Sequence, residues 1–331
     1  MAATVKEVAQ RAGVSVATVS KYMNGGNVKE AYRIKVEEAV KELDYAINAV
    51  ARNLKTNKSY MVGILTPEIT SSFVTSVISL IQKNLLDMGY TTLILDYQAD
   101  RKQESRQLDV LIQFKVDGMI LFPAFNEVDL VETIKKNNIP LLLVDNQIYG
   151  ADCDAIVTNN RESSYEATKK MIACNHKHIV ICRGPEETYT ANERYLGYLD
   201  AMTESGLTPV SVNGSYTIEG GYQAIKQLAA DGCKPTAIIS CNYHMTIGIL
   251  RALYELNWRI PEDISMIAFD EQVFDFALPV SISAIIQPLK EVSACAAKRI
   301  VEMIEKKDTE RTPSVDVLKA SLNETESFQA I

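Results

Sequence analysis

From residue 60 onward, short apolar runs alternate with longer segments in which apolar residues recur every three or four positions. The short runs predict buried strands, and the longer segments predict amphipathic helices. Strand, helix and strand in succession form the unit of a parallel sheet that helices cover on both faces. Strands are expected at 60–65, 91–96, 118–122, 140–144, 178–182, 211–212, 236–240, 264–269 and 283–286. Helices are expected at 73–88, 103–114, 130–137, 163–173, 192–205, 220–230 and 245–256.

The alternation occurs in two similar halves, so the predicted fold class is α/β with a cleft between two lobes. The 331 residues suit about two domains with a small extra module. There is no uncharged apolar stretch of about 18 residues, so no transmembrane helix is expected. The first residues, MAATVKEVAQ, lack the apolar core of a signal peptide. We therefore expect a cytoplasmic protein.

The sequence offers little for catalysis or metal binding. It has no GxxxxGK[ST], no GxGxxG after a strand and no GxSxG. The six cysteines form no CxxC pair, and the three histidines include one HxH without a third ligand at a recognisable spacing. Neither an enzyme nor a bound cofactor is expected.

The start of the chain has the pattern of a helix-turn-helix. Thr4 and Glu7 have the spacing of a capping box, which begins a helix. Gly13 can end that helix with a positive φ, and Ser15 can cap the next one. Three short helices with a tight turn are the layout of major-groove readers. A purely structural three-helix cap is the alternative. The second and third helices are expected at 16–23 and about 30–44.

The charge distribution favours DNA binding. Residues 1–58 contain ten basic and six acidic residues, a net charge of +4, although the whole chain carries −8. A basic end on an acidic body is expected when only that end meets a polyanion. Lys21 can contact a guanine but lacks the two-pronged guanidinium of arginine. The residues expected to contact DNA in this region are Thr4, Ser15, Val16, Ala17, Thr18, Ser20, Lys21 and Asn24.

Residues 47–58 are predicted to form a hinge helix or linker. Asn48 can cap a helix over 49–55, which is too short to be stable alone in water. Leu54 lies among basic residues, a pattern that suits insertion into the minor groove with kinking of the duplex. The alternative is that Leu54 packs on the larger domain. The expected DNA contacts in the hinge are Asn48, Ala51, Arg52, Leu54 and Lys55.

These segments resemble the start of a LacI-family (LacI/GalR) transcription regulator. The similar stretches are TVKEVAQRAGVSVATVSKYMNG and ELDYAINAVARNLKTNKSYMVGIL, followed by VDGMILFP, IPLLLVDN, RYLGY, PTAIISCN, PEDISMIAFDE and IIQP. The resemblance implies a helix-turn-helix head (1–46), the hinge (47–58) and a two-lobed core like type I periplasmic binding proteins. The chain would cross between the lobes near Asn159, Gln287 and Pro313. The first lobe would hold 59–158 and 288–313, and the second 159–287 and 314–331.

The resemblance also implies partners. We expect a homodimer on a double-stranded, pseudo-palindromic DNA operator at the nucleoid, with a dimer face on the first-lobe helix around 73–86. A small effector, best a sugar or sugar derivative, would bind in the cleft and control DNA binding. The alternatives are a protein co-regulator that docks on the first lobe near the hinge, and a nucleobase corepressor.

Several polar residues follow predicted strand ends, where ligands bind in open α/β sheets. Two carboxylates, a guanidinium and an amide can bind a ring of hydroxyls through charge-assisted hydrogen bonds. By resemblance, Arg194 occupies the position of the effector-contacting arginine, and Asp270 that of an acidic effector ligand. The alternative is a structural ion pair between Arg194 and Asp270. The expected effector residues are Phe73, Phe122, Asp145, Thr190, Arg194, Tyr216, Asn242, Asp270 and Gln287.

Overall fold

The computed structural model describes residues 3–23, 26–45, 58–271, 278–306 and 312–331. The chain divides into two compact units, Met1–Ser59 and Tyr60–Ile331. We call the first unit the head and the second the core.

The head is a bundle of three helices, as predicted. They are α1 (Val5–Ala12), α2 (Val16–Met23) and α3 (Glu30–Glu42). The capping box is present, since the Thr4 backbone N–H donates to Glu7 Oε2 at 2.6 Å. Gly13 ends α1 with a φ of 62°. The buried interior of the bundle consists of Val8, Ala9, Ala12, Val19, Val36 and Ala39.

The first lobe of the core is a six-stranded parallel sheet in the order β11-β5-β4-β3-β1-β2. The four inner strands of this sheet are buried on both faces, which accounts for their near-continuous hydrophobic runs. Its strands are β1 (Met61–Thr66), β2 (Thr91–Asp96), β3 (Gly118–Leu121), β4 (Leu141–Val144), β5 (Asp154–Thr158) and β11 (Val315–Leu318). Its helices are α4 (Ser72–Asp87), α5 (Arg101–Gln113), α6 (Val128–Lys136) and α11 (Leu289–Lys306).

The second lobe repeats the architecture in the order β12-β10-β9-β8-β6-β7. Its pairings are parallel except that β12 runs antiparallel to β10. Its strands are β6 (Ile179–Arg183), β7 (Val210–Asn213), β8 (Ala237–Ser240), β9 (Ser265–Phe269), β10 (Ser283–Ile286) and β12 (Ser321–Asn323). Its helices are α7 (Asn160–Ala173), α8 (Tyr189–Glu204), α9 (Ile218–Ala230) and α10 (Tyr243–Glu255). The predicted two-lobed α/β class is therefore confirmed.

The chain crosses between the two sheets after β5, after β10 and after β11. The predicted last crossing near Pro313 is wrong, because Val315–Leu318 pairs with β5 and belongs to the first lobe. The guanidinium of Arg299 on α11 holds this edge strand in place: it lies 2.8 Å from Asp154 of β5 and 2.5 Å from Asp316 of β11. The second lobe therefore resumes after Leu318, and the assignment of 314–318 to it is corrected.

A buried acid in the first lobe makes stability depend on pH. Glu104 on α5 is 2% exposed, and its Oε2 has no hydrogen-bond partner among the described residues. Burial and the carboxylate of Glu127 raise the pKa of Glu104 to about 7, while Arg101 acts in the opposite direction. Its ordinary pKa is 4.5. As the pH rises between these values, the unfolded chain loses its proton first, so the free energy of unfolding falls.

Replacing Glu104 by glutamine is expected to remove this contribution. We expect Glu104→Gln to be more stable than the wild type by roughly 1–3 kcal/mol near pH 8 and similar to it near pH 4. Urea unfolding across this range measures the difference, with the exposed Glu132→Gln on α6 as control. Parallel pH profiles for the wild type and Glu104→Gln would contradict the assignment.

Candidate functional site

The outer face of α2 is the candidate DNA-reading surface. Val16, Ala17 and Lys21 are exposed on it, whereas Val19 on the opposite side is completely buried. Ser15 caps the helix, since its Oγ accepts from the Thr18 backbone N–H at 3.1 Å. The structure thus presents Val16, Ala17 and Lys21 together and uses Ser15 and Thr18 to begin the helix. Ser20 is half-buried beside them.

Two further contacts fix how α2 presents Lys21. Tyr22 donates its hydroxyl to Glu37 Oε1 of α3 at 3.1 Å. The Gly26 N–H donates to the Lys21 carbonyl at 2.8 Å, and a Cβ at Gly26 would lie 2.7 Å from Lys21 Cγ. A side chain at position 26 would therefore displace the lysine stem. The Gly-Gly pair after the second predicted helix was the available signal for this positioning role.

Some predicted DNA contacts cannot be placed in this surface. The Thr4 hydroxyl donates to Glu7 Oε2 at 2.9 Å, so the Thr4 side chain takes part in the N-terminal cap of α1. The other predicted residues lie outside the described part of the chain and stay predictions. They are Asn24, Asn48, Ala51, Arg52, Leu54 and Lys55.

The candidate ligand cleft lies at the carboxyl ends of the strands of both lobes. Asp145 follows β4 with a φ of 72°, and Asp270 follows β9 with a φ of 69°. Each continues the ladder with the neighbouring strand, since the Asp145 N–H donates to Ile156 and the Asp270 N–H to Ile285. Two turns of similar conformation, one after β4 and one after β9, therefore place one carboxylate from each lobe at the cleft.

Arg194 interacts electrostatically with both carboxylates, and hydrogen bonds to the protein itself hold it in place. It is 4% exposed, its Nε donates to Asn160 Oδ1 at 2.7 Å, and its Nη1 donates to the Cys241 carbonyl. Its guanidinium carbon lies 4.0 Å from the centre of the Phe269 ring. Nη2 makes no hydrogen bond to a residue that the structure describes. This nitrogen of the guanidinium can therefore donate to a ligand. The alternative of an Arg194–Asp270 ion pair is not what the structure shows.

Gln287 connects the cleft to a lobe crossing. This 4% exposed side chain donates from Nε2 to Asp270 Oδ1 at 2.7 Å and accepts at Oε1 from Thr158 Oγ1 at 2.9 Å. Thr158 ends β5 in the first lobe, and Gln287 follows β10 in the second. Asp270 is therefore connected through Gln287 to two of the three crossing segments.

Burial and neighbouring charges shift the pKa values of two groups in the cleft. Burial raises the pKa of Asp145 to about 7; Arg194 acts to lower it and Asp270 to raise it further. Burial acts to lower the pKa of Arg194, but Tyr216, Asp270 and Asp145 outweigh it, so that pKa is raised. The guanidinium therefore stays charged, while Asp145 takes up a proton more readily than an exposed aspartate does.

Tyr216, Thr190 and Asn242 complete the second-lobe side of the cleft. The Tyr216 hydroxyl lies 3.3 Å from Thr190 Oγ1, and its ring lies against Gly184, where a Cβ would be 2.3 Å away. Asn242 caps α10 through Oδ1, which accepts from the Met245 N–H at 2.8 Å, and its Nδ2 donates to the Tyr216 carbonyl at 3.4 Å. Glycine at 184 therefore makes room for the tyrosine.

Phe122 and Phe73, the two aromatic residues of the first lobe that were predicted to contact the effector, lie in or against the first-lobe core. Phe122 is 2% exposed and belongs to the buried first-lobe core, and its contact with an effector stays a prediction. Phe73, on the first turn of α4, is half-buried against the same core. Sequence reasoning missed Asn160, which positions Arg194; its place directly after the crossing at Asn159 was the only signal.

Other site types find no support in the described ranges. No group of three or more metal-ligating side chains occurs in them. None of the helices described is both long enough and apolar enough to cross a membrane.

Known proteins match both units. Residues 4–48 match the bacterial regulatory proteins of the lacI family, and residues 59–321 match the periplasmic binding proteins and sugar binding domain of the LacI family. The ribose operon repressor of Escherichia coli K12 is 31% identical over 308 residues, covering 91% of this chain and 93% of the relative. The transcriptional repressor PurR of Pectobacterium carotovorum is 32% identical over 311 residues, covering 92% and 91%.

Solved structures share the fold. The Lac repressor dimer bound to operator and the anti-inducer ONPF matches with a TM-score of 0.88 at 22% identity, over 100% of both chains. A LacI-family regulator from Enterococcus faecium with bound ribose matches with a TM-score of 0.73 at 22% identity, covering 82% of this chain and 99% of that one. The chain therefore belongs to the LacI family of bacterial regulatory proteins.

Proposed function

We propose that this protein is a sequence-specific DNA-binding repressor that a small effector controls. One observation carries the proposal: a single chain joins a head that exposes Val16, Ala17 and Lys21 on one helix to a core whose cleft gathers Asp145, Arg194 and Asp270. The first surface suits DNA and the second a polar small molecule. Such a protein acts in the cytoplasm, at the nucleoid.

At the DNA, two copies of the chain occupy a pseudo-palindromic operator. Each α2 enters the major groove of one half-site, where Lys21 can contact a guanine and the small side chains of Val16 and Ala17 can contact thymine methyl groups. The paired hinges insert Leu54 near the operator centre and bend it. The helix around 73–86 of the first lobe forms part of the dimer face.

In the cleft, the effector is a sugar or sugar derivative. The Asp145 and Asp270 carboxylates accept hydrogen bonds from hydroxyl groups, and Arg194 Nη2 donates to a ring or hydroxyl oxygen. Tyr216 covers an apolar face of the ring. Ribose is the first candidate, because one relative is a ribose operon repressor and one solved family member holds ribose.

The effector and the operator are coupled through the lobes. Gln287 transmits a change at Asp270 to Thr158 and thus to the relative position of the lobes. A change in lobe closure alters the dimer geometry that lets the hinges fold. A coupling free energy of about 1–3 kcal/mol is enough for a 5–150-fold change in operator affinity.

Replacing Lys21 by alanine tests the reading role of α2. We expect Lys21→Ala to lower operator affinity about 10–100-fold and to flatten the preference among variants at one base pair of each half-site. Affinities for a panel of half-site variants, measured at one salt concentration, give both quantities. The control is Lys41→Ala, which removes the same charge from an exposed position on α3. An unchanged preference profile in Lys21→Ala would reduce Lys21 to a backbone contact.

Calorimetric titration with ribose and related sugars tests the cleft. We expect one of them to bind the wild type and to change its operator affinity, and we expect Asp270→Asn to lose both effects. Ribose binding that persists in Asp270→Asn would place the sugar elsewhere.

A further inference from the structure

A cavity of about 280 Å³ lies in the second lobe between α7 and the edge strand β12. Its inner wall includes Ile285 of β10 and Leu322 of β12, which are directly paired in the sheet. Ile285 is 1% exposed and Leu322 is half-buried, so this wall is apolar. Pockets for drug-sized ligands measure about 300–1,000 Å³, so this cavity suits a smaller molecule. It shares no lining residue with the ligand cleft described above.

One face of α7 forms the polar wall of the cavity. Ser163, Glu166 and Lys170 line it, and their spacing of three and four residues places them on the same side of the helix. The Glu166 carboxylate finds no hydrogen-bond or ion-pair partner within the described ranges. Lys170, by contrast, forms an ion pair with Glu324, which also lines the cavity. The one lysine is therefore already paired, and the carboxylate of Glu166 remains available.

The Ser163 hydroxyl can act toward a ligand only as an acceptor. Its proton is used in a hydrogen bond to Asn159 Oδ1 at 2.9 Å. That Asn159 oxygen also accepts from the Ala320 N–H at 2.8 Å, while Asn159 Nδ2 donates to Glu162 Oε2 at 2.6 Å. A flipped Asn159 amide would place N–H against N–H and oxygen against a carboxylate, so its orientation is fixed. The Ser163 oxygen therefore keeps its remaining lone pair for a donor in the cavity.

These groups define the charge of a suitable ligand. Glu166 and Glu324 against Lys170 give the lining a net charge of −1. The available polar groups, a carboxylate and a hydroxyl oxygen, both accept hydrogen bonds. An ammonium group has three N–H donors and a positive charge, so it matches both of them. A carboxylate ligand would instead be repelled by Glu166.

We propose that this cavity is a second small-molecule site and that it binds a small primary amine with a short apolar body. The ammonium group donates to Glu166 and Ser163, and the hydrocarbon packs on Ile285 and Leu322. Neither the head nor the cleft takes part, so this inference does not depend on the proposed function.

Titration of the full-length protein with n-hexylamine tests the site, followed by NMR of the methyl groups of Ile285 and Leu322. We expect saturable shifts of both signals, with Ile120 in the first-lobe core as internal standard. n-Hexanol has the same hydrocarbon without the charge, and we expect it to bind about three- to tenfold more weakly. Hexanoate is expected to bind more weakly still. Unchanged signals of Ile285 and Leu322, or hexanoate binding as tightly as hexylamine, would overturn the proposal.

Variants of the full-length protein locate the ammonium group. We expect Glu166→Gln to raise the Kd for hexylamine about three- to tenfold, because the amide keeps the size of the side chain and removes its charge. The matched control is Glu219→Gln, exposed on α9 of the same lobe, which is expected to bind like wild type. Asp270→Asn, which alters the cleft, is also expected to bind hexylamine like wild type. Wild-type affinity in Glu166→Gln, or lost binding in Asp270→Asn, would overturn the site.

Discussion

Arg194→Ala is expected to abolish the effector response and to lower the free energy of unfolding of the core by about 2–4 kcal/mol. Two buried acceptors, Asn160 Oδ1 and the Cys241 carbonyl, lose their donor, and the Phe269 ring loses its stacked cation. The Asp145 and Asp270 carboxylates lose the positive charge that interacts with both of them. Arg194 thus stabilises the core and also provides Nη2 as a hydrogen-bond donor for a ligand.

Two measurements separate these roles. Urea unfolding gives the stability of Arg194→Ala, and operator affinity with and without a binding sugar gives its response. Asp270→Asn is the comparison, because its amide oxygen still accepts from Gln287 while the carboxylate charge is removed. We expect that variant to lose the response with little loss of stability. An Arg194→Ala protein with wild-type stability and a normal response would contradict the account.

Val19→Asn is expected to reduce operator affinity more than 100-fold while leaving the core folded. Val19 is completely buried among Val8, Ala12 and Val36 in the head. A bundle of this size has little stability to spare, and burying an amide without partners costs about 1–3 kcal/mol by mutational measures, in addition to the lost apolar packing. The three helices then no longer hold Lys21 in a fixed position.

Ile34→Asn is the matched control, since Ile34 is 46% exposed on α3 of the same head. Operator affinity and thermal unfolding are measured on both variants. We expect Ile34→Asn to bind nearly as tightly as wild type, and both variants to retain the unfolding transition of the core. Wild-type operator affinity in Val19→Asn would show that DNA binding does not depend on the head bundle.

Much of the fold could be predicted from local pattern. The capping box at Thr4, the positive φ of Gly13 and the alternation of strands and helices each depend on neighbouring residues, and the structure reproduces them. The strand Asp154–Thr158 was missed, and the edge strands Val315–Leu318 and Ser321–Asn323 lie in different sheets. Edge pairing of this kind is decided by distant partners such as Arg299, which a local pattern does not reveal.

The charged residues of the candidate site could be predicted from the sequence, whereas the residues that position them could not. Asp145 and Asp270 follow predicted apolar strands, and Arg194 lies near the start of a predicted helix. In an open α/β sheet, such positions indicate a ligand site. Asn160 positions Arg194 through a contact between distant segments, which leaves no periodic trace in the sequence. Phe122 ends a predicted strand, and its side chain belongs to the buried first-lobe core.

Selection of bound duplexes from a random DNA library, at two salt concentrations, tests the central claim most directly. Contacts to phosphates alone weaken steeply with salt and carry no sequence information, whereas base contacts select a sequence. The account predicts a palindromic motif that persists at the higher salt concentration and disappears with Val19→Asn. Binding that vanishes with salt and yields no motif would contradict specific recognition by the head.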